Sequence, residues 1–330
     1  VIRFSSFGDI VQAMAVPQSF LKKYPGAQVD WLVRSDFAEL LKSHLYVHRT
    51  IPFERKEGLQ GLWKISGFLA GQNYSHIYDA HNNLRSWIVR LFLFLRSGWV
   101  ATRWLCRPKN RLRRWLFFHG HWPVLPQPFK GVLSFHSPLQ KWKIPPELPA
   151  PPQFFVEPQA QQKYFSLWTD PQRPIVLVPS AAWEMKRWPV EHWKKLIALM
   201  PESKFAVLGG PYDSFCEELK AVAPQRVLNF AGQLSLQESS AFIAKASAVV
   251  SADTGLLHVA DQLGRPTLAL IGPTAFGYPS RSTSVTLEVE LSCKPCSKDG
   301  RGRCTNSVYQ KCMHDIRPEQ VAQKLLEILK

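Results

Sequence analysis

Asp253, Thr254 and Gly255 stand where an apolar run, Ala248-Val249-Val250, meets a second one, Leu256 to Leu263, closed by Gly264-Arg265-Pro266. The first run reads as a strand and the second as a helix, so the three residues occupy a strand-to-helix turn. Free N–H groups and the positive end of the helix dipole favour an anionic group at such a turn. Gly255 has no Cβ and lets a ligand approach the backbone closely. The plainer alternative is an ordinary helix start capped by Asp253 or Thr254.

Other residues carry chemistry of a compatible kind. Asp9 follows Gly8 on the polar turn after Val1-Ile2-Arg3-Phe4. A carboxylate there could take a proton from an attacking hydroxyl, or serve only as a helix N-cap. Lys186 and Arg187 lie on the loop after a strand ending at Val178, with Ser180 between. Together they could hold phosphate oxygens, or the two cations could be solvated loop charges. Gly209-Gly210-Pro211-Tyr212-Asp213 is another strand-end loop, where Asp213 could accept from a sugar hydroxyl. Cys293, Cys296, Cys304 and Cys312 cluster in one loop, which could hold structural Zn or Fe or consist of reduced thiols. That loop is expected far from the chemistry. No G-x-G-x-x-G follows a strand, and neither a phosphate-binding G-x-x-x-x-G-K-[ST] nor a G-x-S-x-G elbow occurs. These absences argue against a dinucleotide oxidoreductase, a P-loop phosphoryl transferase and an α/β-hydrolase.

Such residues need a scaffold that puts strand ends side by side. Strand-like runs at 1–4, 28–33, 50–53, 76–80 and 100–105 alternate with helical ones at 10–23, 37–41, 59–70 and 84–95, with Pro17 a kink or restart. The alternation begins again at Ile175 and runs to Ile271, with Ser235 and Glu238 at capping-box spacing, and an amphipathic helix follows Pro318. This is an α/β pattern, with parallel sheets covered on both faces. Pro145, Pro146, Pro149, Pro151, Pro152 and Pro158 read as a stiff connector, so the expected domains are 1–155 and 156–330. A cleft between them is expected, with ligands at the carboxyl ends of the strands.

The net charge of +16 calls for acidic partners. It is uneven: residues 81–146 contain no Asp or Glu but twelve Arg or Lys, interleaved with Trp87, Phe92, Phe94, Trp99, Trp104, Trp115, Phe117, Phe118 and Trp122. This basic, aromatic face fits an anionic bilayer surface better than a merely solvated one. No run of 18 apolar residues exists and no export signal opens the chain, so a cytoplasmic, at most peripheral, protein is expected.

As an ordered set, these stretches resemble glycosyltransferase family 9, the ADP-heptose:lipopolysaccharide heptosyltransferases. The resemblance lies in Ile2 to Val11, Lys186-Arg187-Trp188-Pro189, Leu208 to Pro211, Ala252 to Gly255 with His258, Gly272-Pro273-Thr274, and Asp315 to Val321. It implies a GT-B fold of two Rossmann-like domains, a C-terminal helix returning to the first, and inversion at the sugar carbon with no cofactor required for catalysis. Asp9 then looks like the general base and Lys186 like the group that neutralises the leaving diphosphate. Ser180, Arg187, Gly209, Gly210, Asp213, Asp253, Thr254, Gly255 and His258 would face an ADP-heptose or similar donor, with His258 equally readable as a core histidine. Ser6, Gly8, Arg85, Arg111, Arg113 and Arg114 would face a phosphorylated glycolipid acceptor at the inner membrane. Nucleic acid is not an expected partner. Ala181-Ala182 and Ala275-Phe276 depart from the family pattern and leave the donor open. Another nucleotide-sugar donor, a protein acceptor, a sugar epimerase on the same fold and a non-enzymatic binder of anionic surfaces are the rival readings.

Overall fold

A computed structural model describes residues 1–97, 102–120 and 122–330. Trp99 and Val100, part of the apolar run and of the strand expected at 100–105, lie outside them. The chain divides into two compact units, one of Val1–Asn110 with Val132–Phe155, the other of Arg111–Gly131 with Val156–Lys330.

The first unit is a twisted parallel α/β layer. Its helices are α1 (Phe7–Ala13), α2 (Val16–Lys23), α3 (Gly58–Gly71) and α4 (Leu84–Ser97), and its strands β1 (Asp30–Arg34), β2 (Arg49–Phe53), β3 (His76–Asp79) and β4 (Arg103–Cys106). β1 pairs with β2 and β3 with β4, both in parallel. Ile2 joins the two pairs, bridging Leu32 on one side and Asp79 on the other. The first residues therefore run up the middle of the sheet, as their apolar sequence implies, with Ile2 and Phe4 in the core among Leu32, Ile51, Phe53 and Val89. The helix expected over 10–23 is two helices. Pro17 lies in the first turn of α2, where no N–H is needed.

The segment 111–131 is the main departure. It forms α5 (Arg111–Gly120), unforeseen in the sequence, and belongs to the second unit rather than to a domain ending at 155. Its Phe117 and Leu125 are buried with Ala275, and Phe118 and Val124 pack beside them with Phe276. Ala275-Phe276 thus provides the apolar seat for this segment. α6 (Gly131–His136) then leads back. The proline-rich stretch is not a free spacer: Phe154 is buried, and Gln153 donates to Gln18 and to the Ala150 carbonyl. Pro158 opens α7 (Pro158–Leu167).

The second unit holds six parallel strands: β5 (Ile175–Val178), β6 (Phe205–Val207), β7 (Val227–Asn229), β8 (Ala248–Ala252), β9 (Thr267–Ile271) and β10 (Ser284–Glu288). Their order is β10-β9-β8-β5-β6-β7. The helices are α8 (Val190–Leu199), α9 (Cys216–Val222), α10 (Leu236–Lys245), α11 (Gly255–Leu263), α12 (Lys311–His314) and α13 (Pro318–Leu329). β5, β8 and β9 are buried along their whole length, which fits continuous apolar runs covered on both faces. Among the described residues no helix is long and apolar enough to cross a membrane.

The capping box expected at Ser235 is present: its side chain accepts from Glu238 N, and the Glu238 carboxylate accepts from Ser235 N. Ser235→Ala should therefore lower stability by about 1 kcal/mol, read as a lower urea midpoint with an unchanged slope.

Candidate active site

In each unit the strand order reverses beside the first strand, and the loops leaving the sheet there diverge. Such switch points form crevices at the carboxyl ends of the strands. In the first unit the diverging segments are residues 5–9 and 80–83. In the second they follow β5 and β8, the neighbours at the reversal.

Asp9 occupies the first switch point, on α1. Arg3 Nη2 lies 2.5 Å from its Oδ2, and Ser6 Oγ donates to the same oxygen at 2.9 Å. Burial pushes the carboxyl up, but Arg3, Arg107 and Ser6 outweigh it and hold the group below the usual carboxylate value. Asp9 is therefore ionised throughout the neutral range, and its side chain keeps 38% exposure. Arg3 also donates to the Ala80 carbonyl, while Arg107 donates to Ser134 and lies 3.8 Å over the Phe135 ring. Both cations are thus fixed from outside the site. His81 Nδ1 accepts from Phe4 N at 3.2 Å. Burial and the nearby Arg3 push its imidazole down to about 3. The ring is neutral, and Nε2 carries its proton as a donor. Asp79 accepts from the His81 and Asn82 amides and so shapes this loop.

In the second unit, Lys186 Nζ lies 3.4 Å from Asp253 Oδ2, and Thr274 Oγ1 donates to that oxygen at 2.8 Å. His258 Nε2 stands 3.9 Å from Oδ1. Thr254, not Asp253, is the N-cap of α11: its hydroxyl accepts from Leu257 N and contacts Ser251 Oγ. That frees the Asp253 carboxylate to hold Lys186 beside a helix N-terminus. There the first-turn N–H groups have no partner within the helix, which suits a diphosphate.

Arg187 is anchored within the second unit. It donates to the Ala181 carbonyl and to Asp213 Oδ1, and Asp213 Oδ2 accepts from Gly210 N at 2.7 Å. Asp213 and Arg187 therefore brace the Gly209-Gly210 loop, and Ala181 contributes through its backbone. Ser180 is half-buried at the end of β5. Of the residues expected to meet an acceptor, Ser6, Gly8 and Arg85 lie at the first switch point or on the first turn of α4. Arg111, Arg113 and Arg114 do not belong to that unit. They sit on α5 in the second, with Arg114 4.6 Å over Phe276.

The cysteine loop is not remote. Gly300 (φ +90°) lies so close to Lys186 that a Cβ would stand 2.7 Å from Cγ. Ser297 donates through its amide to the Pro273 carbonyl and accepts from Gly300 N, and Gln310 donates to the Glu184 carbonyl. The loop thus ties Lys186 to the turn carrying Thr274. Among the described residues no group of three or more His, Cys, Asp or Glu is arranged to hold an ion. Cys293, Cys296, Cys304 and Cys312 are free thiols. Asn306 Nδ2 lies 3.6 Å from Cys293 Sγ, and Gln310 N 3.4 Å from Cys304 Sγ. Burial, with the neighbouring thiols, pushes the Cys312 thiol up to about 11 and that of Cys296 up as well.

Sequence reasoning assigned no role to Arg3, His81, Arg107, Thr274, Gly277 and Gly300, although Arg3 and Thr274 lie within the stretches that carry the resemblance. Gly277 packs on Asp253 so closely that a Cβ would overlap the carboxylate. The glycines carried a signal of their own, and it becomes specific only when their neighbours are known.

Two outcomes follow from this geometry. Gly300→Ala, strained at its positive φ and crowding Lys186, should weaken binding of a nucleoside diphosphate about tenfold, roughly 1.4 kcal/mol, by calorimetry. Because folding depresses the Asp9 carboxyl, its stabilising contribution is full above the ordinary carboxylate range. That contribution is lost as pH falls through the lowered value. Arg107→Gln should move that titration to higher pH, followed by NMR of the carboxyl carbon.

Residues 140–305 match the family described as glycosyltransferase family 9 (heptosyltransferase). Lipopolysaccharide heptosyltransferase 1 of Pseudomonas aeruginosa is 27% identical, covering 100% of this chain and 97% of its own. The structure of E. coli ADP-heptose LPS heptosyltransferase II superposes with a TM-score of 0.73 at 22% identity, covering 99% of this chain and 97% of the other. That of E. coli heptosyltransferase WaaC with ADP-2-deoxy-2-fluoro heptose does so at 0.68 and 19% identity, covering 99% and 98%. The matched span covers half of the chain, and the chain belongs to glycosyltransferase family 9.

Proposed function

We propose that this protein is an inverting transferase that moves heptose from ADP-heptose to a lipopolysaccharide inner-core acceptor of the lipid A–Kdo type. We place it in the cytoplasm, held peripherally on the inner face of the inner membrane. The observation that carries the reading is the complementary charge of the two switch points. One holds an ionised carboxylate, Asp9, and the other an ammonium, Lys186, beside a helix N-terminus. Relatives named as lipopolysaccharide heptosyltransferases, and a structural neighbour solved with an ADP-heptose analogue, support the choice of substrates.

In this reading the acceptor hydroxyl attacks the anomeric carbon from the face opposite the diphosphate. The bond from that carbon to the phosphate oxygen breaks, and ADP departs with the electron pair. Asp9 takes the hydroxyl proton. With its basicity lowered by Arg3 and Arg107, it does so only as the hydroxyl becomes acidic on bonding to the sugar. His81 Nε2–H is available to orient the acceptor. Lys186 and the first-turn N–H groups of α11 meet the charge that develops on the diphosphate. Arg3 and Arg85 give the first unit the positive potential that a phosphorylated acceptor requires.

Mass spectrometry of a defined lipid A–Kdo acceptor incubated with ADP-heptose should show the addition of one heptose. No transfer from that donor to any inner-core acceptor would overturn the proposal. Asp9→Asn should lower kcat by roughly 10²–10⁴-fold with ADP affinity retained, whereas Lys186→Met should lower both kcat and ADP affinity.

A further inference from the structure

Tyr212 is 94% exposed, the most open large apolar or aromatic side chain among the described residues. It makes no hydrogen bond or ring contact with any of them. Its loop, Gly209-Gly210-Pro211-Tyr212-Asp213, leaves the sheet just past the carboxyl end of β6. An aromatic ring held in water with nothing against it is the kind of exposed apolar surface that marks a binding function.

The loop beneath the ring is pinned. Gly210 N donates to Asp213 Oδ2 at 2.7 Å, and Asp213 N donates to the Gly210 carbonyl at 3.2 Å. Gly232 N donates to the Gly209 carbonyl at 3.0 Å. At φ +73°, Gly232 lies so close to Pro211 that a Cβ would stand 2.8 Å from its Cα. Arg187 donates to Asp213 Oδ1 and packs 5.3 Å over the Phe215 ring. Pro211 fixes its own φ. A turn held this way presents Tyr212 in one place, and a tyrosine has few rotamers left to order when a partner arrives. Position names the partner. Lys186 and Tyr212 are kept at a fixed spacing, because their chain neighbours Arg187 and Asp213 bind each other. In the sheet β8, β5 and β6 are consecutive. Adjacent strands stand about 4.8 Å apart, so the loop after β6 lies roughly 10 Å from the start of α11 after β8. That is about the reach of a nucleoside diphosphate from its terminal phosphate to its base.

We propose that Tyr212 is the stacking face for the base of a nucleoside diphosphate whose phosphates sit at Lys186 and the N-terminus of α11. Stacking needs only the π face of the ring, and every base offers one in return. The tyrosine hydroxyl is not required, so phenylalanine serves equally at this position. The inference deepens the donor side of the transferase reading and rests on its anion site, but its test is binding and does not depend on transfer.

Calorimetry of the full chain with ADP and with inorganic pyrophosphate tests it. Tyr212 lies outside the core, so Tyr212→Ala leaves folding intact. That variant should bind ADP about tenfold more weakly, the scale of one base–aromatic stack, and bind pyrophosphate as wild type does. Tyr212→Phe should keep the wild-type affinity for ADP. In turnover, Tyr212→Ala should raise KM for ADP-heptose rather than lower kcat. Unchanged ADP affinity in Tyr212→Ala overturns the proposal. So does a loss of ADP affinity matched by an equal loss for pyrophosphate, which would make the turn a brace for the anion site alone, or a loss in Tyr212→Phe as large as in Tyr212→Ala. A wild type that binds pyrophosphate as tightly as ADP overturns the stack and leaves the anion site standing, and one that binds neither overturns both. If ADP binding depends on Tyr212 but no heptose is transferred, the transferase reading falls and the stack stands.

Discussion

Lys186 and Asp253 keep only 12% and 14% of their side-chain surface. An ion pair that dry stands only if every remaining lone pair and proton is satisfied and the backbone around it is held. Much of the second unit's loop structure answers this demand. Thr274 donates to the carboxylate, Gly277 makes room for it, and Gly300 lies against the lysine stem. Thr254 takes over the helix cap, which spares Asp253 for the pair. Removing either partner would leave an uncompensated charge near the N-terminus of α11, so the pair orders its loops as well as preparing a phosphate site.

The first unit solves a similar problem with the sign of the chemistry reversed. Its functional group is the carboxylate, and the cations are the supports. Arg3 and Arg107 are each anchored elsewhere, on the Ala80 carbonyl and on Ser134. They lower the basicity of Asp9 without occupying its exposed side. The neutral His81, fixed by the Phe4 amide, adds a donor without adding charge. Both arrangements stand at the carboxyl ends of parallel strands because that is where loops diverge and main-chain polar groups lack sheet partners.

The sequence made the α/β alternation legible because buried parallel strands are continuous apolar runs and their helices are capped by local chemistry. Ser235 with Glu238 and the turn at 253–255 could be read from a few adjacent residues. Less legible was anything set by packing between distant stretches. The basic segment 111–131 looked like part of the first half, yet Phe117 and Leu125 find their apolar partner at Ala275. The cysteine loop looked remote, yet its Gly300 lies against Lys186. The pairing of Arg187 with Asp213 likewise joins two loops far apart in the chain.

By itself, then, the sequence determined the fold class, the strand-end positions of Asp9, Lys186 and Asp253, and the cationic, aromatic character of residues 81–146. Periodicity, capping and charge are local properties that a linear chain displays directly. Tertiary structure alone decided which partner each charge meets: Arg3 and Arg107 for Asp9, Thr274 and Lys186 for Asp253. It also decided which apolar faces are covered, as Ala275 covers Phe117 and Leu125. Those outcomes depend on contacts between residues far apart in the chain, and only the folded sheet order brings such residues together.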